Sequence, residues 1–83
     1  MLKHIEIDGR LYGHSQVLKL IACLRDRHGF EIIVTTIPNL GLKNWICSLK
    51  DVTTCVGTSL WDCVSQAANH VQAKIERERK GGN

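Results

Sequence analysis

The sequence predicts an α+β domain, in which a three- to four-stranded, mainly antiparallel sheet has two helices packed on one face. Helical patterns over residues 15–28 and about 59–78 flank a β-rich stretch, and residues 2–7 alternate as a strand. The predicted order is therefore β-α-β-β-β-α. A chain of 83 residues can bury one core. We expect residues 1–80 to form a single domain and residues 81–83 a flexible tail.

The first predicted strand, residues 2–7, runs into Asp8-Gly9, a dipeptide typical of a two-residue hairpin turn. In a strict two-residue register Ile7 would face Arg10, which mixes polar and apolar side chains on each face. We therefore expect the second arm of this hairpin to be short or absent.

The first predicted helix has Ser15 as its N-cap and ends at Gly29, a typical left-handed C-cap. Its apolar face consists of Val17, Leu20, Ile21, Leu24 and His28. Cys23 falls on the opposite, solvent-facing side, one turn from both Lys19 and Arg27. Two nearby cations would lower the pKa of its thiol, so Cys23 is either a reactive thiol, redox-sensitive or dimer-linking, or an incidental surface thiol.

The β-rich stretch begins with residues 30–37, which are almost all β-branched and carry apolar side chains on both faces. This pattern predicts a central strand. Residues 38–41 form a turn, and Trp45, Cys47 and Leu49 then share one face. Lys50-Asp51 is either a tight turn into a strand over residues 52–56 or part of one long bulged strand.

The last predicted helix begins at Ser59, which forms a capping box with Asp62. Its apolar face consists of Leu60, Val64, Ala67, Val71 and Ile75. The predicted core is Ile5, Ile7, Val17, Leu20, Ile21, Leu24, Phe30, Ile32, Val34, Trp45, Leu49, Leu60, Val64, Ala67 and Val71.

The cysteines do not follow the spacing of a zinc site, which needs paired ligands two to four residues apart. Cys47, Cys55 and Cys63 lie eight residues apart, and a tight turn at residues 50–51 would point Cys55 away from Cys47. The N-terminal residues lack a signal-peptide pattern. We therefore expect reduced, buried thiols in a cytoplasmic protein without metal or cofactor.

The sequence also contains none of the usual catalytic motifs. It has no G-x-S-x-G elbow, no paired carboxylates and no glycine-rich phosphate loop between a strand and a helix. We expect no catalytic residues and no enzymatic activity. No stretch of about 18 apolar residues occurs, so a membrane is not an expected partner.

Nucleic-acid binding is the alternative function. The order helix, three strands, helix resembles the double-stranded-RNA-binding domain. That domain holds phosphates with lysines at the start of its last helix, where this chain has Asp62 and no lysine. A nucleic-acid contact would instead use the scattered cations Lys43, Lys50, Lys74, Arg77 and Lys80.

Binding of another protein is the leading prediction, with Trp61, Tyr12 and Leu40 as candidate contacts. Trp61 either closes the edge of the core or anchors a partner. The open sheet face and an edge strand offer a surface, and a homodimer through a sheet edge is compatible with either function.

The layout resembles that of small phage and prophage proteins, the phage ABA-sandwich group. The likeness spans about residues 15–72: a helix ending in His28-Gly29-Phe30, a strand led by Trp45-Ile46-Cys47, and a closing helix with Ser65-Gln66-Ala67-Ala68. The resemblance implies a protein that blocks a host protein, such as a defence complex, as anti-CRISPR inhibitors do. Since the chain has a net charge of +3, we expect it to cover a protein surface and not to imitate DNA.

Overall fold

The computed structural model describes residues 2–38 and 41–81. The elements in chain order are β1 (His4–Ile7), β2 (Arg10–Gly13), a 3₁₀ turn (His14–Gln16), α1 (Val17–Ala22), a π-helical turn (Cys23–Arg27), β3 (Ile32–Thr36), β4 (Trp45–Leu49), β5 (Thr53–Gly57) and α2 (Leu60–Gly81). The predicted α+β class is confirmed. The strands form two antiparallel sheets, the β1–β2 hairpin and a three-stranded sheet in the order β3-β4-β5.

The hairpin has a full second arm, so the prediction that this arm is short or absent was wrong. Asp8 and Gly9 both have positive φ, +56° and +75°, which suits the right-handed twist of a two-residue hairpin. Ile5 pairs with Tyr12, and both side chains are buried. The mixed register is tolerated because the opposite face meets solvent, where Leu11 is 60% exposed.

The first helical segment begins one residue before the predicted N-cap, at His14. The Gln16 side chain accepts a hydrogen bond from the Gly13 N–H at 2.9 Å, so Ser15 is not the N-cap. The predicted end is confirmed: Gly29 has φ +72°, and its N–H donates to the Arg25 carbonyl at 3.1 Å. The last turn is π-helical, over Cys23–Arg27.

In the three-stranded sheet the central strand is β4, and β3 lies at an edge. The prediction that residues 30–37 form a central strand was therefore wrong. Leu49 pairs with Thr53, so residues 50–52 form a three-residue turn in which Asp51 has φ +62°. In this register Cys47 pairs with Cys55, so both side chains point to the same face of the sheet. The prediction from a two-residue turn, that they point to different faces, was wrong.

Helix α2 packs against β4 and β5, and also against β1 and α1. Its N-terminal half is therefore buried on several sides, including Ser65, whose hydroxyl donates to the Asp62 carbonyl at 3.1 Å. The buried core is Ile5, Ile7, Tyr12, Leu20, Cys23, Leu24, Cys47, Leu49, Trp61, Cys63, Val64, Ala67, Ala68 and Val71. The predicted core residues outside this set, Val17, Ile21, Phe30, Ile32, Val34, Trp45 and Leu60, are partly buried against it.

Candidate functional site

The most exposed apolar surface of the sheet is the face turned away from α2. Side chains alternate along each strand, so one set packs on the helix and the other points outward. Cys47 and Leu49 on the inner face are buried, whereas Ile33 and Val56 on the outer face are 67% and 41% exposed. The outer-face residues are Ile33, Thr35, Ile46, Ser48, Thr54 and Val56.

The edge of β3 also has backbone groups that point away from β4. The Glu31 carbonyl accepts the Lys50 N–H at 3.0 Å, and the Ile37 N–H donates to the Asn44 carbonyl at 2.9 Å. Since bonding alternates along an antiparallel strand, the odd-numbered residues pair with β4 and the even-numbered residues face the open edge. The residues facing that edge are Ile32, Val34 and Thr36.

Two devices that commonly protect edge strands, proline and charged side chains, do not occur within β3. All five residues of Ile32–Thr36 are uncharged, and none is proline. On the other side of the sheet, the Gln66 side chain donates a hydrogen bond to the Val56 carbonyl at 2.8 Å. The β3 edge and the adjacent outer face, together called here the open sheet surface, are therefore suited to receive another chain.

Two of the three predicted protein contacts do not lie on any exposed surface. Trp61 is only 2% exposed, and its indole N–H donates to the Leu2 carbonyl at 2.6 Å. Tyr12 is 7% exposed. Neither side chain can anchor a partner in this structure, and Trp61 instead closes the core. Leu40 lies outside the described residues.

The predicted nucleic-acid contacts are not gathered into one patch. Lys43 precedes β4 and Lys50 follows it, so a five-residue strand of roughly 16 Å separates them. Lys50 is also paired with Glu31 at 3.4 Å. The other three cations, Lys74, Arg77 and Lys80, lie on the exposed C-terminal half of α2.

Three polar side chains from two separate segments meet at the hairpin turn. The His28 Nε2 lies 2.7 Å from the Asp8 Oδ2, and the Cys23 thiol donates to the same oxygen at 3.6 Å. All three potential donor atoms lie within 4.8 Å of one another. Arg27 approaches the same carboxylate oxygen at 3.7 Å through its Nε. We call Asp8, Cys23 and His28 the hairpin cluster.

The hairpin cluster overturns the prediction that Cys23 lies on the solvent face. Cys23 is 5% exposed because the complete β1–β2 hairpin covers that flank of the helix. Burial, followed by the effect of the Asp8 carboxylate, raises the pKa of the thiol despite the Tyr12 phenol, which lowers it. The protonated thiol is a poor nucleophile, so the predicted reactive thiol is not supported.

The Asp8 carboxyl has a pKa below its usual value. Burial is the largest single influence and raises the pKa. The hydrogen bond and charge of His28, with smaller contributions from Cys23 and Arg27, together outweigh burial. Asp8 is therefore a carboxylate at neutral pH, held by three donors from the end of the first helical segment.

The remaining thiols lie between the sheet and α2. Burial raises the pKa of Cys47 to about 12 and that of Cys63 to about 11, so both stay protonated at neutral pH. Cys55 is half-buried and lies opposite Cys47. The expectation that these cysteines are unpaired agrees with the structure, in which all four are free.

The chain matches no protein-family model, no curated protein sequence and no solved structure. Over residues 2–38 and 41–81, no helix is both long enough and apolar enough to cross a membrane.

Proposed function

We propose that this chain is a non-enzymatic binding protein that docks a partner protein on its open sheet surface. The observation that carries the proposal is the position of β3. This strand has apolar side chains on both faces, yet it lies at a sheet edge with Ile33 67% exposed. Large exposed apolar side chains beside an uncapped strand edge are typical of surfaces that acquire a partner.

The partner that fits this surface is a protein with an extended, aliphatic segment. Such a segment would add a strand beside β3, using the backbone groups of Ile32, Val34 and Thr36. Its alternate side chains would then cover Ile33 and the neighbouring outer-face residues. The resemblance to small phage proteins further suggests that the partner is a host protein in the cytoplasm, blocked by this contact.

The test is a pull-down of the tagged protein from bacterial lysate, with and without nuclease, followed by binding measurements on the captured protein. Thr36→Pro should block strand addition, because it removes an N–H that faces the open edge and leaves the β4 pairing intact. Ile33→Thr should weaken the apolar contact while keeping a β-branched side chain. Each should weaken binding by at least about tenfold if the strand edge and its central apolar residue contribute as hot spots do.

The matched control is Leu18→Gln, which changes an apolar side chain that is 72% exposed on α1, outside the open sheet surface. It should bind as the unsubstituted protein does. Equal binding by Thr36→Pro, Ile33→Thr and Leu18→Gln would overturn the proposal. Recovery that disappears with nuclease would favour the nucleic-acid alternative, and a concentration-dependent dimer in light scattering would assign the surface to a second copy.

A further inference from the structure

The hairpin cluster brings together a carboxylate, a thiol and an imidazole from positions that are far apart in the chain. Asp8 comes from the hairpin turn, whereas Cys23 and His28 come from the π-helical turn and the residue after it. An Asp–His ion pair alone would account for two of these groups. It does not require a buried thiol directed at the same carboxylate oxygen.

The three donor types together form a recognised metal-binding set. Thiolate, imidazole and carboxylate are the ligands of zinc, whereas magnesium and calcium prefer oxygen ligands alone. From this convergence we infer that Asp8, Cys23 and His28 form a binding site for a zinc-type divalent transition metal.

Two of the three distances between donor atoms are close to those that a tetrahedral site needs. Metal–ligand bonds of about 2.0–2.3 Å place neighbouring donor atoms roughly 3.3–3.8 Å apart. The Cys23 Sγ and the Asp8 Oδ2, 3.6 Å apart, already lie in this range. The His28 Nε2 and the Asp8 Oδ2, at 2.7 Å, must separate by about half an ångström to admit the ion.

The end of the helix favours a cation, and Phe30 holds the imidazole in place. The hairpin cluster lies at the C-terminal end of the first helical segment, where the helix dipole gives a negative potential. The His28 ring stacks on Phe30, with ring centroids 6.1 Å apart and planes 10° apart. Arg27 competes for the Asp8 carboxylate, but its side chain is 56% exposed and can turn into solvent.

Solvent reaches the cluster at Cys23. This side chain lines a shallow cavity of about 410 Å³ together with three cationic side chains, Arg10, Lys19 and Arg27, and the Asp26 carboxylate. A water molecule or a small anion from this cavity would complete a four-coordinate site. On binding, the Cys23 S–H bond breaks, the sulfur bonds to the metal and the proton passes to solvent. The His28 Nε2–H bond to the Asp8 carboxylate breaks as well: its proton passes to solvent, with Nδ1 keeping the remaining ring proton, and Nε2 bonds to the metal. The ion would tie the hairpin turn to the end of the helix.

The test is a titration of reduced, metal-free protein with Co²⁺, followed by absorption spectroscopy. One equivalent should produce a thiolate-to-cobalt charge-transfer band in the near ultraviolet and tetrahedral d–d bands in the visible, and Zn²⁺ should abolish both. Zn²⁺ should also raise the unfolding temperature, because it binds only the folded state.

The Cys23→Ser variant should lose the thiolate band. Asp8→Asn and His28→Gln should bind Co²⁺ at least about tenfold more weakly. Replacing a residue that only hydrogen-bonds to a metal ligand already lowers metal affinity by about tenfold or more, so replacing a ligand should cost at least as much. Asp8→Asn is the safest of these variants for folding, because asparagine tolerates the positive φ of residue 8. Circular dichroism of each metal-free variant checks that the fold is retained.

Cys55→Ser and His70→Gln are the matched controls, since they remove a thiol and an imidazole outside the hairpin cluster. Both should give the unsubstituted spectrum and affinity. A thiolate band that survives in Cys23→Ser and disappears in Cys55→Ser would move the metal to the thiols beneath the sheet and overturn the inference. Absence of any thiolate band in the unsubstituted protein would overturn it as well.

Discussion

At the scale of single residues, Gly57 has less room for a side chain than Gly9, Gly13, Gly29 or Gly41. It lies at the end of β5, where the chain turns into α2. A Cβ added there would lie 2.7 Å from the Cys63 backbone nitrogen and 2.8 Å from the Asp62 Oδ2. The backbone atom belongs to a buried helix and cannot move aside, so this close packing requires glycine.

We predict that Gly57→Ala lowers the free energy of unfolding by about 1–3 kcal/mol, the usual cost of overpacking. Urea denaturation would measure the change. Gly13→Ala is the matched control, because its Cβ would meet nothing closer than the His4 side chain at 3.4 Å. A Gly57→Ala variant as stable as Gly13→Ala would contradict the prediction.

Asp62 shows how one charge supports the start of α2. Its carboxylate accepts a hydrogen bond from the Thr58 N–H at 2.8 Å, and the Ser59 hydroxyl accepts the Asp62 N–H at 3.1 Å. The predicted N-cap at Ser59 is thus confirmed, although the carboxylate bonds to the residue before the cap. The bond from the Thr58 N–H is the largest influence and lowers the pKa of Asp62, and burial opposes it.

Folding lowers the pKa of Asp62, so the Asp62 carboxylate stabilises the folded state. This stabilisation is fully present above the unfolded-state pKa of about 4. It is lost as the pH falls through the lower folded-state pKa, where the carboxylate becomes protonated. We predict that Asp62→Asn costs about 0.5–1 kcal/mol at pH 7, and that this difference shrinks toward zero near pH 2. Urea denaturation across this pH range measures it. Asp26→Asn, at an exposed pair with Arg25, should change stability much less. A pH-independent difference would contradict the prediction.

At the scale of elements, β3 shows what a residue pattern does not determine. Apolar side chains on both faces indicate a strand covered on both sides, which usually means a central strand. The same pattern also arises at an edge whose outer face awaits a partner. Which strand pairs with which depends on contacts between whole strands, and β4 lies in the middle because it pairs with both β3 and β5.

The β4–β5 turn is the element whose backbone conformation is most readily tested. Asp51 has φ +62°, a conformation that costs most L-residues about 1–2 kcal/mol but which aspartate and asparagine tolerate better. We predict that Asp51→Ala lowers the free energy of unfolding by about 1 kcal/mol and that Asp51→Asn changes it little. Urea denaturation of both variants is the measurement. Equal stabilities would show that residue 51 does not hold this conformation.

At the scale of the whole molecule, α2 organises the fold. The three-stranded sheet, β1 and α1 all pack on it, so its N-terminal half is central. Its C-terminal half has one partly buried apolar residue, Ile75, and is otherwise mostly exposed. The molecule is correspondingly elongated, with extents of 46, 26 and 21 Å.

We predict that hydrogen exchange divides α2 into two parts. Amides over residues 64–71 should exchange at rates near those of global unfolding, whereas amides over residues 77–80 should exchange much faster through local fraying. Native-state exchange read by NMR or mass spectrometry distinguishes them. Uniform protection along α2 would contradict this prediction and would point to a further contact on its exposed end.

The features that can be read from the sequence alone are those that depend on neighbouring residues. The period of the apolar residues located α2 and the strands of the main sheet, and short-range capping located Ser59 and Gly29 as helix ends. These features were predictable because hydrogen bonds and side-chain contacts over three or four residues establish them.

How the elements meet depends on their packing in three dimensions. It separated the strands into two sheets, put β3 at an edge, buried Trp61 and brought Asp8 to Cys23 and His28. The helical pattern assigned Cys23 to solvent because the pattern describes one helix without the hairpin that covers it. Contacts between residues 15 or 20 positions apart depend on packing of whole elements, which local periodicity does not specify.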